Sequence, residues 1–306
     1  MRAKQIVAIM VAIILVGVLA AVALGGAGDS KPMGEYVSVI YITGTIGYTE
    51  YDIFGNELYP STYTILDYID EITYDENNRG IFLAVDSGGG AVYDSDKIYQ
   101  ALMEYKQYTG RPIKAACAST MCSGAYYIAC AADSITAERT ADVGSIGVYI
   151  EMTNIAALCE KLGISVEYIR SSDNKAMGSM YQELTEEQRA IFQAVVDEHY
   201  ERFLDIVMDA RGYDEETLRT LADGRTYTAT MALGNGLIDE IIEWDDALWA
   251  FEDELGVMYE DYIDTEEESW FSLVIRSIFG AAPKTELEIL QEMVENGSGE
   301  VMYYAP

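Results

Sequence analysis

Three short apolar runs, each followed by a helical pattern, constrain this chain more than any other feature. "YVSVIYITGTI" (residues 36–46) is rich in β-branched residues and reads as a strand. "TYTILDYIDEI" behind it carries Ile65, Ile69 and Ile72 at helical spacing. "GIFLAVDS" reads as a buried strand running into "GGGA", followed by the amphipathic "DSDKIYQALMEYKQY". "IKAACAS" is a third strand, with "SGAYYIACAA" as its helix. Strands alternating with helices require crossover connections, so the strands run parallel and the class is α/β. Further on, "SITAE", "IGVYIEM" and "VEYIRS" read as short strands and "NIAALCEKLG" as a helix. One long helix spans "LTEEQRAIFQAVVDEHYERFLDIVMDARG", with Thr185 as N-cap and Gly212 just past its end. Beyond about residue 246 the pattern loosens into an acidic stretch, an apolar "WFSLVIRSIFG", a helical "ELEILQEMVE" and an apolar, aromatic "VMYYAP". No internal repeat is visible.

The N-terminus has its own logic. Arg2 and Lys4 precede a charge-free run, "IVAIMVAIILVGVLAAVAL", long enough to cross the hydrocarbon core of a bilayer. Positive residues before the span and acidic ones after it place the N-terminus in the cytoplasm and the bulk of the chain outside. A cleavable signal peptide competes, because "AVALGGAG" offers small residues, but the run exceeds the usual signal core and favours a retained anchor. The expected division is a tail (1–5), a transmembrane anchor (6–26), a linker (27–35), a main domain (36–245) and a C-terminal extension (246–306).

Charge excludes one class of partner. With 52 Asp and Glu against 19 Lys and Arg, the net charge of −33 leaves no basic cluster for nucleic acid. The acidity reads first as a solvated surface, and second as a field that draws in cationic peptides. Cys117, Cys122, Cys130 and Cys159 match no zinc spacing and sit in apolar surroundings. Outside the cell such thiols can pair, whereas their settings favour buried free thiols.

The chemistry centres on "TMCSGAYYIACAAD", where Ser123 stands at the head of a greasy segment. An arbitrary serine there is most often an N-cap; the alternative is a nucleophile beside the free N–H groups of a helix start. "VDSGGGAVYDS" lacks the spacing and lysine of a phosphate loop, and its bare N–H donors suit an oxyanion better. A serine nucleophile needs a base. The one histidine, His199, lies inside the long helix among apolar neighbours and reads as structural, which disfavours a Ser-His-Asp triad. A Ser-Lys dyad remains, and a lysine accepts a proton only when neutral, so burial must lower its pKa. Lys175 in "SSDNKAMGSM" is the candidate.

Over residues 36–245 the chain resembles the SppA-type signal peptide peptidases, serine peptidase family S49, which share the Clp protease/crotonase-like fold. The resemblance rests on "YITGTI", "VDSGGGAVYDS", "STMCSGAYYIACAAD", "GSIGV", Lys175 ahead of "LTEEQR", and "LADGRTYTATMALGNGLIDE", in the family's order. It implies Ser123 as nucleophile, Lys175 as general base, Ser145 as the residue orienting that lysine, and the N–H groups of Gly90 and Gly124 as the oxyanion hole. It further implies signal peptides and other peptides as substrates, no metal or organic cofactor, and a homo-oligomeric ring whose neighbouring subunits contribute Ser and Lys. The chain departs from the family in having Gly88 for a usual Pro, Ala91 and Ala125 for usual Gly, and "SDNK" for a Gly-Lys-Tyr-Lys run. Two other readings are a crotonase-like acyl-CoA enzyme, which bound CoA would reveal, and an inactive peptide-binding scaffold, which would leave an active-site serine probe unreacted.

Overall fold

The computed structural model describes residues 34–49, 60–258, 260–262 and 298–304. The expected anchor at 6–26, "WFSLVIRSIFG" and "ELEILQEMVE" lie outside those residues. Among the described residues, no helix is long and apolar enough to cross a membrane.

The first half alternates as expected: β1 (Tyr36–Ile46), α1 (Thr62–Thr73), β2 (Asn78–Ala91), α2 (Val92–Thr109), β3 (Ile113–Cys122), α3 (Gly124–Ala129) and β4 (Ser134–Ala137). β1, β2, β3 and β4 pair in parallel in that order. Alternate residues of β2 face opposite ways. Ile81, Leu83 and Val85 join a core with α1, α2 and α3. Phe82 faces the other side with Val37, Val39 and Ala116, against Leu248 and Phe251 of α8 (Trp244–Leu255). Helices on both faces explain why "GIFLAV" is an unbroken apolar run rather than an alternating one.

β3 forks. Its first half pairs with β4, and its end pairs in parallel with β5 (Asp142–Gly144), Cys122 standing opposite Gly144. β6 (Tyr149–Met152), α4 (Ala156–Leu162) and a 3-10 turn at Asp173–Ala176 follow. Next come α5 (Glu186–Arg211), α6 (Glu215–Leu221), β7 (Thr226–Thr228), α7 (Ala229–Asn235) and β8 (Glu240–Ile241). After α8 come β9 (Glu260–Tyr262) and β10 (Ser298–Tyr304).

α5 is the long helix, and its ends are the expected ones. Thr185 and Gln188 form a capping box through reciprocal bonds of 3.2 Å. Gly212 closes the other end at φ 70°, a left-handed conformation suited to glycine. Three readings need correction. "VEYIRS" is not a strand: its residues are exposed and carry no ladder, and a strand cannot persist without a neighbour to pair its N–H and C=O groups. The three glycines belong to β2 itself rather than to a loop after it. The loosened pattern beyond residue 246 coincides with α8, which buries Ala247, Leu248 and Phe251 while its other faces stay acidic.

Candidate active site

β3 ends at Cys122 and α3 begins at Gly124, so a single residue turns the chain from strand into helix. That residue is Ser123, at φ 53° and ψ −120°. A non-glycine residue held there stores strain on the order of 1–3 kcal/mol, so its surroundings must impose it. They do. The Ser123 N–H donates to Gly144 O at 2.7 Å, and its carbonyl accepts from the Tyr127 N–H at 2.9 Å, closing the first turn of α3. α3 is buried on every side, with Tyr126 Oη donating to Leu237 O at 2.8 Å and Tyr127 Oη to Asp96 Oδ1 at 2.6 Å. The Tyr127 ring packs on Phe203 of α5 at 5.1 Å and on Tyr99 of α2 at 5.4 Å. The greasy segment is therefore a wedge whose packing fixes one serine.

The N-cap reading fails on geometry. Ser123 makes no side-chain capping bond, and its Oγ is buried without a hydrogen-bond partner. An orphaned buried hydroxyl costs about 1–3 kcal/mol, so this position stores unfavourable free energy twice, in backbone and side chain.

Ser145 mirrors it. Directly after β5, it sits at φ 48°, and with Ser123 it makes up the non-glycine residues of positive φ among the described residues. The Cys122–Gly144 pairing sets the two serines at the ends of adjacent parallel strands. Ser145 N–H donates to Arg225 O at 2.9 Å, and its Oγ donates to Gly224 O at 3.3 Å. The turn that supplies these carbonyls, in "ADGRTY", carries a role that reading the sequence missed; its Asp-Gly pair marks a turn but not what the turn holds.

The glycines divide by cause. Gly90 stands opposite Ile46 of β1, where a Cβ would lie 2.0 Å from the Ile46 carbonyl oxygen, so no side chain fits. Gly89 adopts φ 105°. β2 pairs with β3 as far as Ser87 opposite Met121, and two residues on in that register Gly89 is level with Ser123. Gly90 and Gly124 thus flank the serine from β2 and from the start of α3.

Lys175 is elsewhere. It sits exposed on the 3-10 turn, with no hydrogen bond or ion pair from its side chain among the described residues. That turn is tied to the start of α5, where Gln188 Nε2 donates to Asp173 O and Asn174 Oδ1 at 3.4 Å. Ser123 is tied through Tyr127 to Phe203, about 22 Å further along α5 at 1.5 Å per residue. The chain therefore brings Ser123, Ser145, Gly90 and Gly124 to one end of the sheet, and no hydrogen bond joins Lys175 to Ser123. His199 is half-buried on α5 and is not bonded to Ser123.

Cys122, next to Ser123, is buried, and its thiol lies 3.6 Å from Asp142 O. Burial, then the nearby Asp142 carboxylate, push that thiol up to about 12, so it stays protonated and non-nucleophilic at neutral pH. Burial likewise raises Cys130 to about 12, and all four cysteines are free. Among the described residues, no three His, Cys, Asp or Glu side chains converge into a metal-binding cluster.

Known proteins resemble this chain in sequence. A putative signal peptide peptidase SppA of Enterococcus faecium is 30% identical over 273 residues, covering 86% of this chain and 79% of that protein. A putative protease of Methanocaldococcus jannaschii is 28% identical over 302 residues, 96% of this chain and 92% of that protein. Protease 4 of Haemophilus influenzae is 28% identical over 200 residues, 65% of this chain but 32% of that longer protein. The family description "Peptidase family S49" matches residues 106–258, which hold both strained serines, Lys175 and the whole of α5. With a relative at 30% identity across most of both chains, that match places the chain in peptidase family S49.

Proposed function

We propose that the protein is a membrane-anchored serine endopeptidase that degrades cleaved signal peptides with a Ser-Lys dyad shared between neighbouring copies. One observation carries the reading: a serine held in strained backbone at a strand-to-helix turn, its buried Oγ free of any hydrogen bond. Strain and an unsatisfied hydroxyl persist where function requires them.

In this reading Ser123 Oγ attacks the scissile carbonyl carbon while the neutral Lys175 amine takes the hydroxyl proton. The N–H groups of Gly90 and Gly124 hold the developing oxyanion. The tetrahedral intermediate collapses as Lys175 returns the proton to the leaving amine, and water, activated by the same lysine, hydrolyses the acyl-enzyme. Ser145 orients the lysine once it arrives.

The exposure of Lys175, together with a Ser123 Oγ that has no partner, supports a base supplied by a second copy. So does the segment carrying Lys175, which exposes Leu158, Leu162, Ile164, Val166 and Ile169 to solvent. Large apolar side chains exposed together along one short segment fit a protein contact. A groove of about 830 Å³ between β6 and the first half of α5 offers a recess beside it. Anchoring would come from residues 6–26, with the N-terminus cytoplasmic and the catalytic part outside.

The test is labelling by a fluorophosphonate probe together with hydrolysis of a synthetic signal peptide. The expected outcome is a single adduct on Ser123 and no adduct or hydrolysis in Ser123→Ala. Hydrolysis that survives Ser123→Ala overturns the assignment.

A further inference from the structure

A second recess opens at the carboxyl ends of β1 and β2. It has a volume of about 70 Å³ and lies between the end of β1 and the starts of α1 and α2. Ile42, Ile46, Ile65 and Ile98 give it apolar walls. Asp94, in the first turn of α2, adds one carboxylate to the lining. Gly47 adopts φ 87° beside it, and a Cβ there would come within 2.8 Å of Asp94 Oδ2. The bare glycine leaves the carboxylate its place.

Among the described residues, the Asp94 carboxylate has no hydrogen bond or ion pair. Lys97, three residues further along α2, lies over the Tyr93 ring instead, 5.6 Å from its centroid. Thr43 also lines the recess, and its Oγ1 is buried with no hydrogen-bond partner. A carboxylate in a first turn is favoured by the helix dipole whatever else it does. The dipole does not account for isoleucine walls beside it or for an orphaned hydroxyl. Apolar walls with one negative charge suit a side chain with an aliphatic stem and a cationic head. At roughly 15 Å³ for each water-sized group, the recess takes about five heavy atoms, as many as a lysine side chain carries.

We propose that this recess selects a lysine side chain of the substrate, about three residues from the bond that Ser123 cleaves. The inference rests on Ser123 being the nucleophile. The spacing follows from the ladder. Ile46 stands opposite Gly90 on β2, and Gly89 is level with Ser123 at the end of β3. β1 and β3 are two strand spacings apart, about 10 Å, which an extended peptide covers in about three residues. Asp94 pairs with the ammonium, and the isoleucines hold the methylene stem. The field of a chain with net charge −33 draws in the same cationic peptides.

The experiment moves one lysine through the positions on either side of the scissile bond of a synthetic peptide. Norleucine, which has the stem without the ammonium, is the reference at each position. The full chain is compared with Asp94→Asn and Asp94→Lys. The expected result is a lysine preference of roughly tenfold in kcat/KM at one position, about the third from the bond, lost in Asp94→Asn. In Asp94→Lys the preference should pass to glutamate at that position. These ratios do not depend on how much of a variant is folded. Equal cleavage of lysine and norleucine peptides by the full chain, or a preference that persists in Asp94→Asn, overturns the proposal. Fluorescence anisotropy of the same peptides on Ser123→Ala, with and without Asp94→Asn, reads the recess without cleavage. An Asp94-dependent lysine preference in binding, with hydrolysis that survives Ser123→Ala, upholds the recess and overturns the nucleophile assignment instead.

Discussion

Ser123 combines two properties that mutation can separate. Alanine at this position removes the hydroxyl but keeps the strained φ of 53°, whereas glycine removes both hydroxyl and strain. Both variants should lose activity by several orders of magnitude, because members of one catalytic unit fail together. Ser123→Gly should nevertheless unfold at higher denaturant than Ser123→Ala, by about 1 kcal/mol, since relieved strain exceeds the added chain entropy. Chemical denaturation of the two variants checks this, and equal midpoints would mean that the turn is unstrained. Cys122 offers the matching control. With burial raising its thiol to about 12, Cys122→Ala should leave peptide hydrolysis within about twofold, and Ellman's reagent at pH 8 should find no fast-reacting thiol in the folded chain. The place of Ser123 at the head of an apolar helix was legible from its motif, but its backbone was not. A φ of 53° is imposed by the Gly144 carbonyl and the buried α3, which lie outside any local window.

At the scale of elements, helix ends and covered strands were readable because their signals are local. Thr185, Gln188 and Gly212 announce α5, and "GIFLAV" announces a strand with both faces covered. "VEYIRS" misled for the converse reason: β-propensity states what fits a sheet and not whether a partner strand is present. β10 was illegible because its pairing spans some two hundred residues of sequence. Two contacts between elements invite measurement. Arg211 at the end of α5 grips Asp239 through two bonds of 2.7 and 3.0 Å and also donates to Gly236 O at 2.9 Å. Arg211 is largely buried but Asp239 is 43% exposed and partly screened by solvent, so Arg211→Ala should destabilise by about 1–2 kcal/mol in urea titration. On α8, burial, then hydrogen bonding and repulsion from Glu260, push the Glu252 carboxyl up to about 7. A folded-state pKa raised above the unfolded value means that the folded chain binds the extra proton. This contribution to stability is fully present below about pH 4.5 and is lost as pH rises through about 7. Glu252→Gln should flatten that decline and stabilise the chain at pH 8 by about 1 kcal/mol at most, seen as a higher melting temperature, because the group is largely solvated. A melting curve series that leaves the slope unchanged would exclude the Glu252–Glu260 pair as its source.

For the whole molecule, the proposed sharing of Ser123 and Lys175 between copies makes a counting prediction. If each site takes its serine from one copy and its lysine from the next, Ser123→Ala and Lys175→Ala subunits are inactive for different reasons. Refolded together in equal amounts, random mixing across a head-to-tail interface leaves about a quarter of the sites whole. Peptidase assays on the co-refolded mixture, against each variant refolded alone, read the recovery directly. Mixed assemblies captured through a tag on one variant yet devoid of activity would place both residues in one subunit.

The reach between those two residues belongs to α5. With Gln188 holding the lysine segment and Phe203 holding α3, the helix acts as a ruler between those two segments, and in the proposed shared site it would set where one copy presents its lysine to the next. Length then becomes a tighter constraint than composition between those two residues. Four added residues would displace one end by about 6 Å and rotate it by about 40°, whereas seven would displace it by about 10 Å and rotate it back by about 20°. Substitutions along the exposed stripe of α5 leave the spacing untouched. If copies share their sites as proposed, an insertion of either length would leave each subunit folded and the assembly out of step with itself.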